Sequence, residues 1–183
     1  MRIIAGLAKG RRLVAPKSFL VRPVADKVKG AIFNILGNIE GKTVLDLFAG
    51  SGSVGLEALS RGAAQTIFVD ALPASLEILR KNILQCGFAN QASVMRGRIP
   101  LILRPIARRW NRFDLVFVDP PYDKNLIHPT LDALLENKLI DAQSRVIIEH
   151  SPRESPLHEG FALADQRKYG QTFVSFLKPG EKL

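Results

Sequence analysis

Two apolar, β-branched runs of this chain each lead into a short motif that contains an aspartate at the end of the run. The run 43–47 leads into Asp46-Leu47-Phe48-Ala49-Gly50-Ser51-Gly52, and the run 113–118 leads into Asp119-Pro120-Pro121-Tyr122. Runs of this composition predict strands that are buried on both faces, as in a parallel sheet. Because open α/β sheets bind ligands at the carboxyl ends of their strands, both motifs are predicted to lie at a ligand-binding edge.

Strand and helix patterns alternate along the rest of the chain. The predicted strands are 43–48, 65–69 (ending at Asp70), 92–95, 113–118 and 145–149, and the predicted helices are 26–36, 53–61, 74–85, 101–110 and 130–136. Two further strand-like runs, 161–167 and 172–177, are joined by the tight link 168–171, which predicts an antiparallel hairpin. The earlier strands need parallel crossovers, so the predicted fold class is α/β, with a mostly parallel sheet and a C-terminal antiparallel hairpin.

Composition predicts a single domain in a reducing environment. The 183 residues are 46% hydrophobic, which is enough for one core, so one domain over 1–183 is expected. The single cysteine, Cys86, cannot form an internal disulfide, and no apolar stretch reaches the roughly 18 residues of a membrane span. No secretory signal is visible, and the dispersed His128, His150 and His158 predict no metal site. A cytoplasmic protein without membrane contact is expected.

Positive charge is concentrated in two segments of the chain. Residues 1–30 contain eight Lys or Arg against one acid, and residues 96–112 contain six Arg and no acid, within a net charge of +9. The first 22 residues, broken by glycines and a proline, are predicted to form a small hairpin or an irregular arm. A solubilising surface is the simpler interpretation, but a basic arm on a near-neutral body is typical of proteins that contact phosphate backbones. Residues 1–40 are therefore predicted to be a basic N-terminal extension that binds nucleic acid.

The glycine motif admits two interpretations. Gly50-Ser51-Gly52-Ser53-Val54-Gly55 satisfies G-x-G-x-x-G, in which glycines let a dinucleotide pyrophosphate approach the start of a helix. However, Asp46 lies in the strand end, where a carboxylate would repel a pyrophosphate and would favour the methionine ammonium of S-adenosylmethionine. Asp70 can accept hydrogen bonds from both ribose hydroxyls of either cofactor class. These acids favour S-adenosylmethionine.

The Asp-Pro-Pro-Tyr motif fits methyl transfer to a planar amine. Such an amine is a poor nucleophile because its lone pair is delocalised, and Asp119 with the Pro120 carbonyl can accept its two N–H bonds. Consecutive prolines fix φ and hold that carbonyl in position. Tyr122 offers a ring on which an unpaired base can stack, worth about 1–3 kcal/mol. The predicted catalytic residues are Asp119, Pro120 and Tyr122.

Several further motifs resemble one known family over essentially the whole chain. They are Arg2-Ile3-Ile4-Ala5-Gly6, Lys9-Gly10-Arg11-Arg12-Leu13, Arg22-Pro23, Phe33-Asn34-Ile35-Leu36 and Gly55-Leu56-Glu57-Ala58-Leu59-Ser60-Arg61-Gly62-Ala63, together with the two motifs above. The chain resembles the bacterial small-subunit 16S rRNA guanine-N2 methyltransferases. The resemblance implies a Rossmann-like seven-stranded methyltransferase sheet, S-adenosylmethionine as cofactor, and as substrate a guanine of 16S rRNA in the small ribosomal subunit or an assembly intermediate. Nothing in it requires more than a monomer.

Motif and resemblance together define the candidate site residues. The cofactor is expected to contact Asp46, Phe48, Ala49, Gly50, Ser51, Gly52, Asp70, Ala71, Gly97, Arg98 and Asp119. The RNA is expected to contact Arg2, Lys9, Arg11, Arg12, Arg22, Pro121 and Tyr122.

The chain departs from the family pattern at three positions. Val24 replaces an expected threonine, Gly30 replaces a common glutamate, and Arg98 replaces an acid or amide near the adenine, so backbone groups at 97–99 are expected to hold that ring. Two alternative functions stay open. One is methylation of another amine, DNA adenine N6 or a protein glutamine; the other is a non-catalytic RNA-binding factor, whose mark would be loss of Asp46 or Asp119.

Overall fold

The computed structural model describes residues 1–15 and 23–180. The helices and strands, in chain order, are α1 (Pro23–Leu36), β1 (Thr43–Leu47), α2 (Ser53–Ser60), β2 (Gln65–Asp70), α3 (Pro73–Cys86), β3 (Ala92–Arg96), α4 (Leu103–Ala107), β4 (Leu115–Val118), α5 (Ile127–Glu136), β5 (Arg145–His150), β6 (Phe161–Tyr169) and β7 (Thr172–Pro179). The chain divides into two compact units, Met1–Arg96 and Gly97–Leu183.

The first unit is built on three parallel strands in the order β3-β2-β1. Their register pairs Leu47 with Val69 and Asp70 with Arg96. Strands β1 and β2 are buried along almost their whole length, as their continuous apolar runs predicted. The polar exceptions near their carboxyl ends are Asp46 and Asp70, so both acids lie at the edge where ligands bind in such sheets.

The N-terminal arm, defined here as residues 1–15, forms a small hairpin, which is one of the two forms that the sequence predicted for residues 1–22. Its two sides meet at an antiparallel bridge between Arg2 and Arg12, and the Ile3 N–H donates to the Arg11 carbonyl at 3.0 Å. The arm packs on helix α2, where a Cβ on Gly6 would lie 1.7 Å from the Ser60 carbonyl oxygen. Only glycine fits this contact.

Buried charges hold the same arm in place. Glu57, fully buried on α2, accepts hydrogen bonds from the backbone N–H of Ile4 at 2.7 Å and of Ala5 at 3.0 Å. The Lys29 ammonium donates to the Arg2 carbonyl at 2.8 Å and lies 3.5 Å from Glu57. Burial lowers the pKa of Lys29, and the charge of Glu57 opposes that shift. The arm is therefore an ordered part of the first unit.

The second unit contains strands in the order β4-β5-β7-β6. Strands β4 and β5 are parallel, with Val118 opposite Ile148, whereas β5 with β7 and β6 with β7 are antiparallel. The hairpin of β6 and β7 turns through Gly170 and Gln171, and Gly170 has φ of +64°. The two units together contain seven strands, and the predicted α/β class with its C-terminal antiparallel hairpin is confirmed.

Helix α4 is shorter than predicted. The helix expected over 101–110 covers only Leu103–Ala107. Leu103 and Ile106 are buried, but Leu101 before them is 77% exposed and Arg109 after them is exposed. Because neither end continues the apolar face, packing does not extend the helix. Among the described residues, no helix is long and apolar enough to cross a membrane, and no cluster of His, Cys, Asp and Glu could hold a metal.

Candidate active site

Asp46 is a buried carboxylate that caps the neighbouring helix. It is 4% exposed, and its Oδ2 accepts a hydrogen bond from the backbone N–H of Gly55, in the first turn of α2, at 2.9 Å. A negative charge at this end of a helix is favourable. Burial nevertheless raises the pKa of Asp46 to about 7, and the charge of Asp70 contributes to the rise. A cation brought to this carboxyl would stabilise its ionised form.

Asp70 joins the turns that follow β1 and β2. Its Oδ2 accepts from the Gly50 N–H at 2.8 Å, and its Oδ1 accepts from the Leu72 N–H at 2.8 Å. A carboxylate has about four lone-pair positions, so each oxygen can accept a further hydrogen bond. Asp70 thus shapes the turn after β1 and retains the capacity to bind a diol. Ala71 follows it, exposed, in the turn before α3.

The backbone of the turn after β1 is constrained at Phe48. This residue has φ of +61°, a conformation that bulky side chains rarely adopt. The next residue, Ala49, donates its N–H to the Val69 carbonyl at 2.9 Å. Strained residues of this kind cluster at ligand-binding sites, where the surrounding structure maintains them. The strain supports the predicted role of this turn in ligand binding.

The three glycine amides of the G-x-G-x-x-G motif already have acceptors within the protein. Gly50 donates to Asp70, Gly52 donates to the Ala49 carbonyl at 2.7 Å, and Gly55 donates to Asp46. In a dinucleotide site such amides and the helix N-terminus bind the pyrophosphate. Here the amides bind the protein, and the helix N-terminus has a carboxylate beside it. This geometry disfavours a pyrophosphate.

Two of these glycines are required by packing. A Cβ on Gly52, which has φ of +81°, would lie 2.3 Å from Leu79 Cδ1. A Cβ on Gly55 would lie 2.3 Å from Phe68 Cε1 and 2.8 Å from Asp46 Oδ2. The glycines therefore let α2 and α3 approach the sheet closely, with the carboxylate against the start of α2.

Asn82 is a residue of this site that sequence reasoning missed. It is fully buried on α3, and its Nδ2 donates to the Ser51 carbonyl and to the Val14 carbonyl, each at 2.9 Å. Its Oδ1 accepts from the Val14 N–H at 2.8 Å. The Ser51 hydroxyl in turn donates to the Met1 sulfur at 3.2 Å. The only signal in the sequence was a polar residue on the apolar face of α3.

The second unit carries the Asp-Pro-Pro-Tyr motif directly after β4. Asp119 is exposed and Pro120 is buried, followed by the exposed Pro121. Tyr122 is 39% exposed, which leaves part of its ring open for stacking. Its hydroxyl donates to Glu149 Oε1 at 3.2 Å and lies 3.1 Å from Thr172 Oγ1.

Burial raises the pKa of Tyr122 to about 12, so its hydroxyl stays protonated. Glu149 was not predicted as a site residue. Burial raises its pKa, whereas the hydrogen bond from Tyr122 lowers it. The signal that could have found it is an acid near the end of the apolar strand β5, the same pattern that identified Asp119.

The remaining predicted residues fall in both units. Gly97 and Arg98 follow β3; a Cβ on Gly97 would lie 2.6 Å from the Ile102 side chain, and Arg98 is exposed. The four arm cations, Arg2, Lys9, Arg11 and Arg12, are all exposed on one hairpin. Arg22 lies outside the described residues. The structure thus brings Asp46, Asp70 and the glycine turn together in the first unit, and Tyr122 with Glu149 in the second.

Comparisons with known proteins identify relatives over most of the chain. The family described as Conserved hypothetical protein 95 matches residues 1–178. Ribosomal RNA small subunit methyltransferase D of Haemophilus influenzae is 34% identical over 160 residues, covering 86% of this chain and 81% of that protein. The protein of the same name from Escherichia coli is 34% identical over 150 residues, covering 81% and 74%. The structure of a hypothetical protein from Thermus thermophilus matches with a TM-score of 0.81 and 29% identity, over 97% of this chain and 99% of that chain.

Proposed function

Because the chain belongs to the Conserved hypothetical protein 95 family and is a relative of ribosomal RNA small subunit methyltransferase D, we propose that it methylates the exocyclic N2 amine of a guanine in 16S rRNA. It is a methyltransferase, and its cofactor is S-adenosylmethionine. We also propose that the protein acts in the cytoplasm as a monomer. Its proposed partner is the small ribosomal subunit or an assembly intermediate of it.

The observation that carries the cofactor assignment is the pair of buried acids beside a glycine turn whose amides are occupied. Asp46 and Asp70 fit a ligand with an ammonium and a ribose, because one acid would gain a cation and the other can accept from hydroxyls. We assign the methionine end to Asp46 and the ribose to Asp70. The strained turn at 48–52 would lie along the part of the ligand that joins its ammonium end to its ribose. When bound, S-adenosylmethionine supplies a methyl group already activated by its sulfonium.

The residues of the second unit would hold the acceptor amine. Asp119 can accept one N–H and the Pro120 carbonyl the other, which aligns the nitrogen lone pair and lowers the cost of orientation. Asp119 is also the group that can take up the released proton. Tyr122 presents part of its ring for stacking, and its hydroxyl is tied to Glu149, so the ring is held in one orientation.

The arm would contact the RNA backbone. The exposed cations of the arm are Arg2, Lys9, Arg11 and Arg12. The hairpin that carries them is fixed by hydrogen bonds to the buried Glu57, so their charges would be arranged before the RNA arrives. We also propose that 1–183 act as one methyltransferase domain in which 1–40 serve as the RNA-binding extension.

The test is transfer of labelled methyl from S-adenosylmethionine to unmodified small subunits, naked rRNA and duplex DNA, followed by nucleoside analysis. Label recovered as N2-methylguanosine from subunits is expected. Label in methyladenine would move the assignment to a different amine, and cofactor binding without any transfer would point to a protein substrate or to a binding factor.

The variant Asp119→Ala should abolish transfer and leave cofactor binding, measured by calorimetry, within a few-fold of wild type. Asp132→Ala, which removes an exposed carboxylate on α5 of the same unit, is the matched control and should retain activity. Loss of cofactor binding in Asp119→Ala would contradict the role assigned to this carboxylate.

A further inference from the structure

A second carboxylate ends the strand next to Asp119. The parallel register of β4 and β5 pairs Val118 with Ile148, so Asp119 and Glu149 follow at equivalent positions of neighbouring strands. Neighbouring strands lie about 4.8 Å apart, and paired positions direct their side chains to the same face of the sheet. Asp119, directly after β4, and Glu149, near the end of β5, thus both come at the carboxyl edge of neighbouring strands.

The Tyr122 hydroxyl, on the ring proposed to stack on the base, contacts one of these acids, since it lies 3.2 Å from Glu149 Oε1. Burial is the main cause of its raised pKa, and the charges of Glu149 and Asp119 both add to it. Because this hydroxyl donates to Glu149, the Thr172 hydroxyl must donate to the Tyr122 oxygen in turn. The carboxylate of Glu149 is thus oriented toward the ring on which a base would stack. Glu149 is half-buried.

The chemistry of the base explains what a second acid can do there. In guanine the N2 amine is flanked by N1–H, a hydrogen-bond donor, whereas in adenine the N6 amine is flanked by N1, an acceptor. A carboxylate beside the amine-binding residues accepts the donor of guanine and repels the lone pair of adenine. A clamp made of Asp119 and the Pro120 carbonyl alone fits either amine. A neighbouring acid that accepts the N1–H would distinguish them.

We propose that Glu149 accepts the N1–H of the target guanine and thereby makes guanine, rather than adenine, the base that this site methylates. This inference rests on the proposed function, because it assigns a specificity-determining residue to the same site. Tyr122 then has two tasks, since its ring stacks on the base and its hydroxyl holds the Glu149 carboxylate in position.

The test compares two acceptors that keep the same 2-amine. Small subunits are reconstituted with 16S rRNA that carries either guanine or 2-aminopurine at the nucleotide mapped as the target; 2-aminopurine has a 2-amine beside an N1 acceptor instead of N1–H. Wild type should prefer guanine by about 10- to 100-fold in kcat/KM, the discrimination typical of a well-placed base-edge contact. In Glu149→Gln the preference should fall to within a few-fold, because the glutamine amide can donate to the N1 acceptor.

The ratio of kcat/KM for guanine to kcat/KM for 2-aminopurine does not depend on how much of a variant folds, since both values are measured on one enzyme preparation. Glu136→Gln, an exposed carboxylate at the end of α5, is the matched control and should keep the wild-type ratio. Tyr122→Phe removes the hydroxyl that orients Glu149 and should lower the ratio less than Glu149→Gln. An unchanged ratio in Glu149→Gln, with guanine N2 still methylated, would show that Glu149 only supports Tyr122 and would overturn the inference. Failure of the wild type to methylate guanine N2 would instead overturn the proposed function.

Discussion

Replacing Asp46 with asparagine should remove a pH dependence of stability that this buried carboxyl creates. Its pKa is about 7 in the folded protein against an ordinary value of 3.8, so the native state retains a proton that the unfolded chain releases. The stabilising effect of that proton is complete below the ordinary pKa and is lost as the pH rises through the folded pKa. Linkage over the range from about pH 5.5 to about pH 8.5 gives a loss of about 2 kcal/mol in the free energy of unfolding.

The assay is denaturant unfolding of wild type and Asp46→Asn at several pH values in that range. Asparagine keeps the volume, and its carbonyl oxygen can accept the Gly55 N–H, so the remaining effect of the substitution is an offset that does not depend on pH. From the acidic to the basic end of this pH range, the free energy of unfolding of the variant, relative to that of wild type, should rise by about 2 kcal/mol. Glu77→Gln, on the exposed face of α3, is the control, and its free energy of unfolding should depend on pH in the same way as that of wild type.

A difference between wild type and Asp46→Asn that stays constant with pH would refute the reasoning. The same variant also tests ligand binding. If the methionine ammonium of S-adenosylmethionine lies at Asp46, saturating cofactor should favour the ionised carboxylate and flatten the pH dependence of wild type, while Asp46→Asn should bind the cofactor at least tenfold more weakly. Equal affinity in the two proteins would restrict Asp46 to its role as a helix cap.

Three further outcomes are expected. Gly55→Ala should lower the free energy of unfolding by about 1–3 kcal/mol because the new Cβ would overlap Phe68. Gly30→Ala, inside α1, would bring its Cβ no closer than 3.9 Å to Ile4 Cγ2 and should be neutral or slightly stabilising in the same unfolding measurement. Asn82→Ala should increase both hydrogen exchange in the arm and the Kd for S-adenosylmethionine, and an effect on only one of them would contradict a shared support. Charge reversal of Arg11 and Arg12 should weaken RNA binding and flatten its dependence on salt concentration, and an unchanged slope would exclude the arm as a phosphate contact.

The features of the site that the sequence predicted are those encoded locally. Asp46, Asp70 and Asp119 each lie in or directly after an apolar run, so strand pattern and the rule for ligand edges were enough to place them. The α/β class and the C-terminal hairpin follow from the same alternation and from a short link at Gly170. The bounds of α4 were wrong because they depend on which of its side chains find a buried partner, and periodicity alone does not contain that information.

The residues that were missed act between elements distant in the chain. Asn82 bonds to residues 31 and 68 positions away, and Glu57 bonds to the arm 52 and 53 positions away. Glu149 accepts a hydrogen bond from Tyr122, which lies 27 positions earlier in the chain. In a single sequence each of these is only a polar residue in an amphipathic or strand-forming segment. Their partners become visible when the strands and helices are assembled.

The basic arm and the glycine turn are both held by Asn82, which bonds to Val14 of the arm and to Ser51 of the turn. Glu57 binds the arm backbone at its first side, and Asn82 binds its last part at Val14 while also binding the turn at Ser51. The arm is therefore not a flexible tail, because hydrogen bonds to buried side chains fix its backbone. The arm is thus linked to the glycine turn through Asn82 and through the hydrogen bond from the Ser51 hydroxyl to the Met1 sulfur. If the arm binds RNA and the turn binds the cofactor as proposed, Asn82 is the residue whose loss should disturb both, because it bonds to Val14 of the arm and to Ser51 of the turn.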